Sequence, residues 1–164
     1  MSWKTSPPRP HGAETTPELL EVAVDKFTFK VAPDRLYTEE GVWAKVEVGS
    51  VRVGLSDFLQ QRSGDIAFVE VKPIGARVKA GEEIASIETV KVNVSLGSPV
   101  AGRVAETNPA LQSAPETING DPYGGGWLAV IEASNWPADQ RRLLTPEAYL
   151  NVVKRSAGEE ASRA

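Results

Sequence analysis

The 164-residue chain is long enough for one domain with a real core and too short for two independent ones. Its 22 acids and 18 bases leave a net charge of −4, and the bases are scattered, which leaves no electrostatic footprint for nucleic acid. Cysteine is absent and histidine occurs once, as His11, which argues against disulfides, thiolate or histidine metal sites and a histidine-based catalytic triad.

Residues 1–16 are rich in proline and poor in large apolar groups, a disordered tail on composition. MSWKTSPPRPHG lacks the apolar core of a secretory signal, and Glu14, Glu18 and Glu21 argue against a transit peptide. No later stretch has the apolar length of a membrane span, so a cytoplasmic protein is expected. Residues 17–34 form an N-terminal extension in which Val22 and Val24, then Phe27 and Phe29, fit short strand pieces. VWAKVEV (42–48) alternates Val42, Ala44, Val46 and Val48 against polar or bulky neighbours, a half-buried strand. Gly49-Ser50 fits a two-residue hairpin loop before VRVGL. SDFLQQRSG predicts a short helix, capped near Ser56 or Asp57 and stopped by Gly64.

From Asp65 onward, short apolar stretches are punctuated by Gly75, Gly81, Gly97 and Gly102, the rhythm of a small β sandwich or barrel. Gly81 and Gly102 are assigned to turns. NPALQSAPETING opens on Asn108-Pro109 and closes on Asn119-Gly120 as a helix or compact loop, and Asp121, Pro122 and Tyr123 shape a turn before Trp127. WLAVIEA (127–133) predicts one more strand. A C-terminal helix follows, capped by Thr145 with Pro146 in its first position, and residues 156–164 form a polar, frayed tail.

One residue stands out. Lys91 sits between Val90 and Val92, so on a strand it would face away from both valines. A solvent-face lysine guarding a sheet edge is one reading. The other is a modification site, where acylation cancels the charge and the long stem carries a bulky group clear of the domain. Glu88, three positions earlier, either guides a modifying enzyme or is an exposed strand acid. Asp65 and Glu70 have no assignable partner, and the two-carboxylate arrangement of a glycosidase cannot be read from their spacing.

The stretch GDIAFVEVKPIGARVKAGEEIASIETVKVNVSLGSPVAGRVAETNPAL resembles the H protein of the glycine cleavage system. LYTEEGVWAKV, VGLSDF and INGDPYGGGWL extend that likeness over about residues 35–150, within a domain bounded at 35–155. The resemblance implies a mainly β, barrel-sandwich hybrid of the lipoyl/biotinyl hammerhead type, with short flanking helices and a lysine at a hairpin tip. It implies lipoic acid in amide linkage on Lys91, matched through Glu88-Thr89-Val90-Lys91-Val92, and a recognition role for Glu88. Biotin is the rival group, but biotin carriers flank their lysine with methionine, and the chain's single methionine is Met1.

On this resemblance the protein is a carrier, not a catalyst, and a monomer, without nucleic-acid or membrane partners. A lipoate-attaching enzyme would load it. Its other partners would be glycine decarboxylase, aminomethyltransferase and dihydrolipoyl dehydrogenase, between which it shuttles an aminomethyl group. Three departures tilt the reading slightly towards the related lipoate-binding proteins of sulfur oxidation, which serve a heterodisulfide-reductase-like complex. They are Gly41-Val42 before Trp43, Val92 after the lysine, and the N-terminal extension.

Overall fold

The computed structural model describes residues 18–163. The predicted disordered tail and His11 lie outside the described residues. The chain opens with a two-stranded antiparallel hairpin, β1 (Leu20–Val24) and β2 (Phe27–Val31). Next come β3 (Leu36–Tyr37), β4 (Val42–Glu47), β5 (Ser50–Leu55) and helix α1 (Asp57–Ser63). The middle supplies β6 (Ile66–Val71), β7 (Arg77–Val78), β8 (Glu83–Thr89), β9 (Asn93–Gly97) and β10 (Gly102–Thr107). Two one-turn helices, α2 (Ala110–Ser113) and α3 (Thr117–Gly120), precede β11 (Ala129–Ala133), α4 (Trp136–Gln140) and the long α5 (Pro146–Arg163).

Two further antiparallel sheets carry the fold, a six-stranded one ordered β3-β4-β5-β11-β10-β7 and a three-stranded one ordered β9-β8-β6. Their inner faces share one core. Val51, Val53, Val104 and Ile131 come from the larger sheet, and Val69, Ile84, Ile87 and Leu96 from the smaller. This is the expected mainly β barrel-sandwich architecture with short flanking helices. No helix among the described residues is long and apolar enough to cross a membrane.

Local chemistry sets most boundaries. Ser56 caps α1 by accepting from the Leu59 amide at 3.2 Å, and Gly64 ends it at φ +91°, as the sequence predicts. The β4–β5 loop is Val48-Gly49 instead of Gly49-Ser50, because Gly49 takes the left-handed conformation (φ +76°) and Ser50 already pairs with Glu47. β4 also departs from simple alternation. Trp43 is buried along with Val42 and Ala44, whereas Val46 and Val48 are exposed near the hairpin end. Gly102 is no turn glycine; it pairs with Ala133, and a Cβ there would fall 2.1 Å from the Glu132 carbonyl. Gly81 does take a turn conformation, at φ +89°.

A second core welds the ends of the chain to the sheets. Phe29 and Val31 of β2, Tyr37, Trp43, Phe58 of α1, and Tyr149, Val153 and Ala157 of α5 form it. Residues 18–34 of the extension are therefore packed onto the domain through the hairpin. The expected frayed tail from residue 156 is helix instead, continuous to Arg163. Alanines and glutamates favour helix there, and Ala157 is buried in this second core.

Candidate functional site

Lys91 lies at the tip of the β8–β9 hairpin, as the resemblance implies, and not within a strand. The expected alternation fails because the strand stops at Thr89 and resumes at Asn93. Thr89 causes the stop. Its buried hydroxyl accepts from the Val92 amide at 3.0 Å and the Lys91 amide at 3.2 Å, and lies 3.1 Å from the Val92 carbonyl. The Thr89 amide donates to the same carbonyl at 2.8 Å, closing a tight turn. Val90 is thereby thrown out to 91% exposure and Val92 to 46%. Lys91 is thus carried on an exposed, hydrogen-bonded turn.

The Lys91 side chain reaches back towards α1. Its Nζ lies 3.5 Å from the Arg62 carbonyl, and its Cε would sit 3.3 Å from a Cβ placed on Gly64. It thus forms part of the wall of a groove of about 450 Å³ between the β1–β2 hairpin, α1 and α5. Val24, Phe27, Phe29, Phe58, Ala157 and Ala161 give the groove an apolar lining. Arg62 and Glu160 pair at 3.0 Å, joining α1 to α5. A tethered primary amine beside an apolar groove fits a long acyl group in amide linkage.

Glu88 is exposed on β8, paired in register with Asn93 on one side and Phe68 on the other. Phe68 is itself 57% exposed, so Glu88 stands next to an exposed aromatic on the surface that carries the tip. Asp65 and Glu70 are exposed and take no part in the groove. Asp121, Pro122 and Tyr123 do shape a turn. Asp121 accepts from the Gly125 amide at 2.7 Å, the Pro122 carbonyl accepts from the Trp43 indole at 3.0 Å, and the Tyr123 hydroxyl donates to the Lys30 carbonyl at 2.7 Å. No cluster of histidine, cysteine or carboxylate side chains suited to a metal occurs among the described residues.

The resemblance implies a surface cleft that shelters the arm, but the sequence did not say which residues line the groove. Its signal was faint: Phe27, Phe29 and Phe58 lie in amphipathic segments, and nothing in their spacing joins them to residues 157–161.

The family model for the glycine cleavage H-protein matches residues 35–156. The chain belongs to that family. A probable glycine cleavage system H protein of Aeropyrum pernix is 38% identical over 138 residues, covering 84% of this chain and 96% of the relative. The glycine cleavage system H protein of Coprothermobacter proteolyticus is 48% identical over 107 residues, covering 65% and 84%. Among solved structures, a glycine cleavage system H protein from Mycobacterium marinum superposes with a TM-score of 0.67 at 33% identity, covering 73% of this chain and 95% of that one. H-protein family members carry lipoate covalently attached to a lysine.

Proposed function

We propose that this H-protein is the lipoyl carrier of glycine cleavage, with lipoate in amide linkage to Nζ of Lys91. One observation carries the assignment: the Lys91 amine stands at an exposed, hydrogen-bonded hairpin tip inside the matched region, beside an apolar groove. When attached, lipoate supplies a dithiolane that exchanges two electrons and can hold a one-carbon amine unit. The chain's own residues do no bond-making in this reading. Thr89 fixes the tip, and the lysine stem gives reach and a high local concentration for successive enzymes. Exposed Val90, Val92 and Phe68 offer the lipoate-attaching enzyme an apolar rim, and Glu88 a charged mark beside it.

The partners are then glycine decarboxylase, aminomethyltransferase and dihydrolipoyl dehydrogenase, met as a cytoplasmic monomer. The tilt towards sulfur oxidation loses its support. The relatives reported above bear glycine cleavage names. The Aeropyrum match also reaches upstream of residue 35, because its 138 residues exceed the family match by more than the eight residues that follow residue 156. A relative with a glycine cleavage name therefore shares at least part of the extension.

Intact-mass measurement on protein from its native host tests the attachment. A lipoyl adduct is expected, absent from Lys91→Arg, with thermal stability unchanged because the side chain is exposed. Reconstituted glycine–bicarbonate exchange with the decarboxylase then tests the pathway. A fully lipoylated protein that supports no exchange returns the question to sulfur oxidation.

A further inference from the structure

We infer that Asn119 is a positioning residue for the acylation of Lys91: from α3 it clamps the α1–β6 connector on which the lysine stem and the tip turn both rest. This deepens the attachment proposed above and rests on it. Asn119 Oδ1 accepts from the Ile66 amide at 2.9 Å, and Nδ2 donates to the Gly64 carbonyl and to Gln60 Oε1, each at 3.0 Å. The side chain thereby spans the connector Gly64-Asp65 and the first residue of β6. Two routes lead from there to Lys91. Gly64 backs the stem, since a Cβ built on it would lie 3.3 Å from Lys91 Cε. Ile66 stands opposite Thr89 in the β6–β8 register, and the Thr89 hydroxyl accepts from the Lys91 and Val92 amides. The ladder needs support at this point. Ile66 pairs with Thr89 and Phe68 with Glu88, so Ala67 is an extra residue at the start of an edge strand. Asn119 gives the Ile66 amide an acceptor where the ladder is disrupted.

The direction of this amide is set from α1. The Asp57 carboxylate only accepts, so the Gln60 amino group, 2.8 Å away, has to point at it. That turns Gln60 Oε1 towards Asn119, whose own amino group then faces two oxygens while its carbonyl faces the Ile66 amide. An asparagine satisfies all three partners at once. An aspartate of the same shape would set a carboxylate oxygen against the Gly64 carbonyl and Gln60 Oε1. The chemistry of loading makes this placement matter. The neutral Nζ attacks the carboxyl carbon of an acyl adenylate, the adenylate leaves with the bonding pair, and the nitrogen loses one proton as the amide forms. Misplacing a reacting group by about 1 Å can slow such a step ~100-fold. Val90, Val92, Phe68 and Glu88, the surface offered to the attaching enzyme, make no hydrogen bond to Asn119. The effect of Asn119 therefore falls on the acyl transfer and not on docking.

The test follows acylation of the full-length, unmodified chain by the host's lipoate-attaching enzyme, timing the gain in mass over a range of chain concentrations. Wild type is compared with Asn119→Asp and Asn119→Ala, and with Ile131→Val, a cavity variant in buried β11 that controls for lost stability. Asn119→Ala removes the three bonds without adding a charge, and it carries the comparison if Asn119→Asp folds poorly. Both Asn119 variants are expected to lower kcat about tenfold with KM unchanged, a loss within the range that a small misplacement of the amine produces. Ile131→Val should match wild type. An unchanged kcat in the Asn119 variants, a rise in KM alone, or equal slowing by Ile131→Val overturns the positioning role and leaves the attachment standing. A wild-type chain that gains no lipoyl mass overturns both.

Discussion

Thr89 does more for the candidate site than its place in the sequence announces. It is 7% exposed, and its hydroxyl serves the backbone of Lys91 and Val92. Thr89→Val keeps the shape but leaves buried amides without a partner, which costs about 1–3 kcal/mol. For a chain of this size the melting temperature should drop by roughly 2–4 °C per kcal/mol, as differential scanning calorimetry would show. The loosened tip should also be a slower substrate for the lipoate-attaching enzyme. Glu88 separates recognition from architecture. Because it is exposed, Glu88→Gln should leave the melting temperature unchanged, yet slow attachment severalfold in a timed mass assay if it is a recognition residue. An unchanged rate would make Glu88 an ordinary strand acid.

At the scale of elements, legibility followed how local the controlling chemistry is. α1 was visible because Ser56 and Gly64 cap it from neighbouring positions, and α5 began as expected because the Thr145 hydroxyl accepts from the Ala148 amide at 3.1 Å. The barrel-sandwich and the lysine at a tip came from the family resemblance. Alternation around Val90-Lys91-Val92 argued for unbroken strand, and only the Thr89 side chain, bonding forward, ends it. The lining of the groove was not legible, since residues 24–29, 58–62 and 157–161 meet only in three dimensions. The end of α5 was hidden for a similar reason: Ser156–Arg163 looks polar, but Ala157 is buried beside Phe29 and Phe58 in the second core. Truncation after Arg155 should therefore loosen the hairpin selectively. Hydrogen exchange at β1 and β2 amides should quicken while the β5, β10 and β11 amides keep their protection. Uniform protection in the truncated protein would show that the hairpin stands without α5.

Over the whole molecule, three tyrosines join the chain ends to the sheets, and they are all the tyrosines it has. Tyr37 and Tyr149 stack with centroids 4.4 Å apart. Tyr37 donates to the Ala32 carbonyl at 2.7 Å, and the Tyr149 hydroxyl shares a 2.6 Å bond with Ser56. Tyr123 donates to Lys30 and accepts from the Asp57 amide at 3.2 Å, tying the hairpin to α1. Burial disfavours the charged phenolate at each. It pushes Tyr123 up to about 12, and Tyr37 and Tyr149 higher still. In the unfolded chain all three would ionise near pH 10, about the ordinary tyrosine value. Between that pH and the folded values the unfolded state releases protons that the native state keeps. Stability is thus at full strength below about pH 10 and falls as pH rises towards 12 and beyond. Ultraviolet titration should show almost no phenolate at about pH 11, where free tyrosine is mostly ionised. Absorbance should then rise steeply, together with the loss of near-ultraviolet circular dichroism, because ionisation has to wait for the second core to open. A gradual rise centred near pH 10 in a protein that stays folded would mean that water already reaches this core, and the hairpin would then be too loosely held to wall a groove.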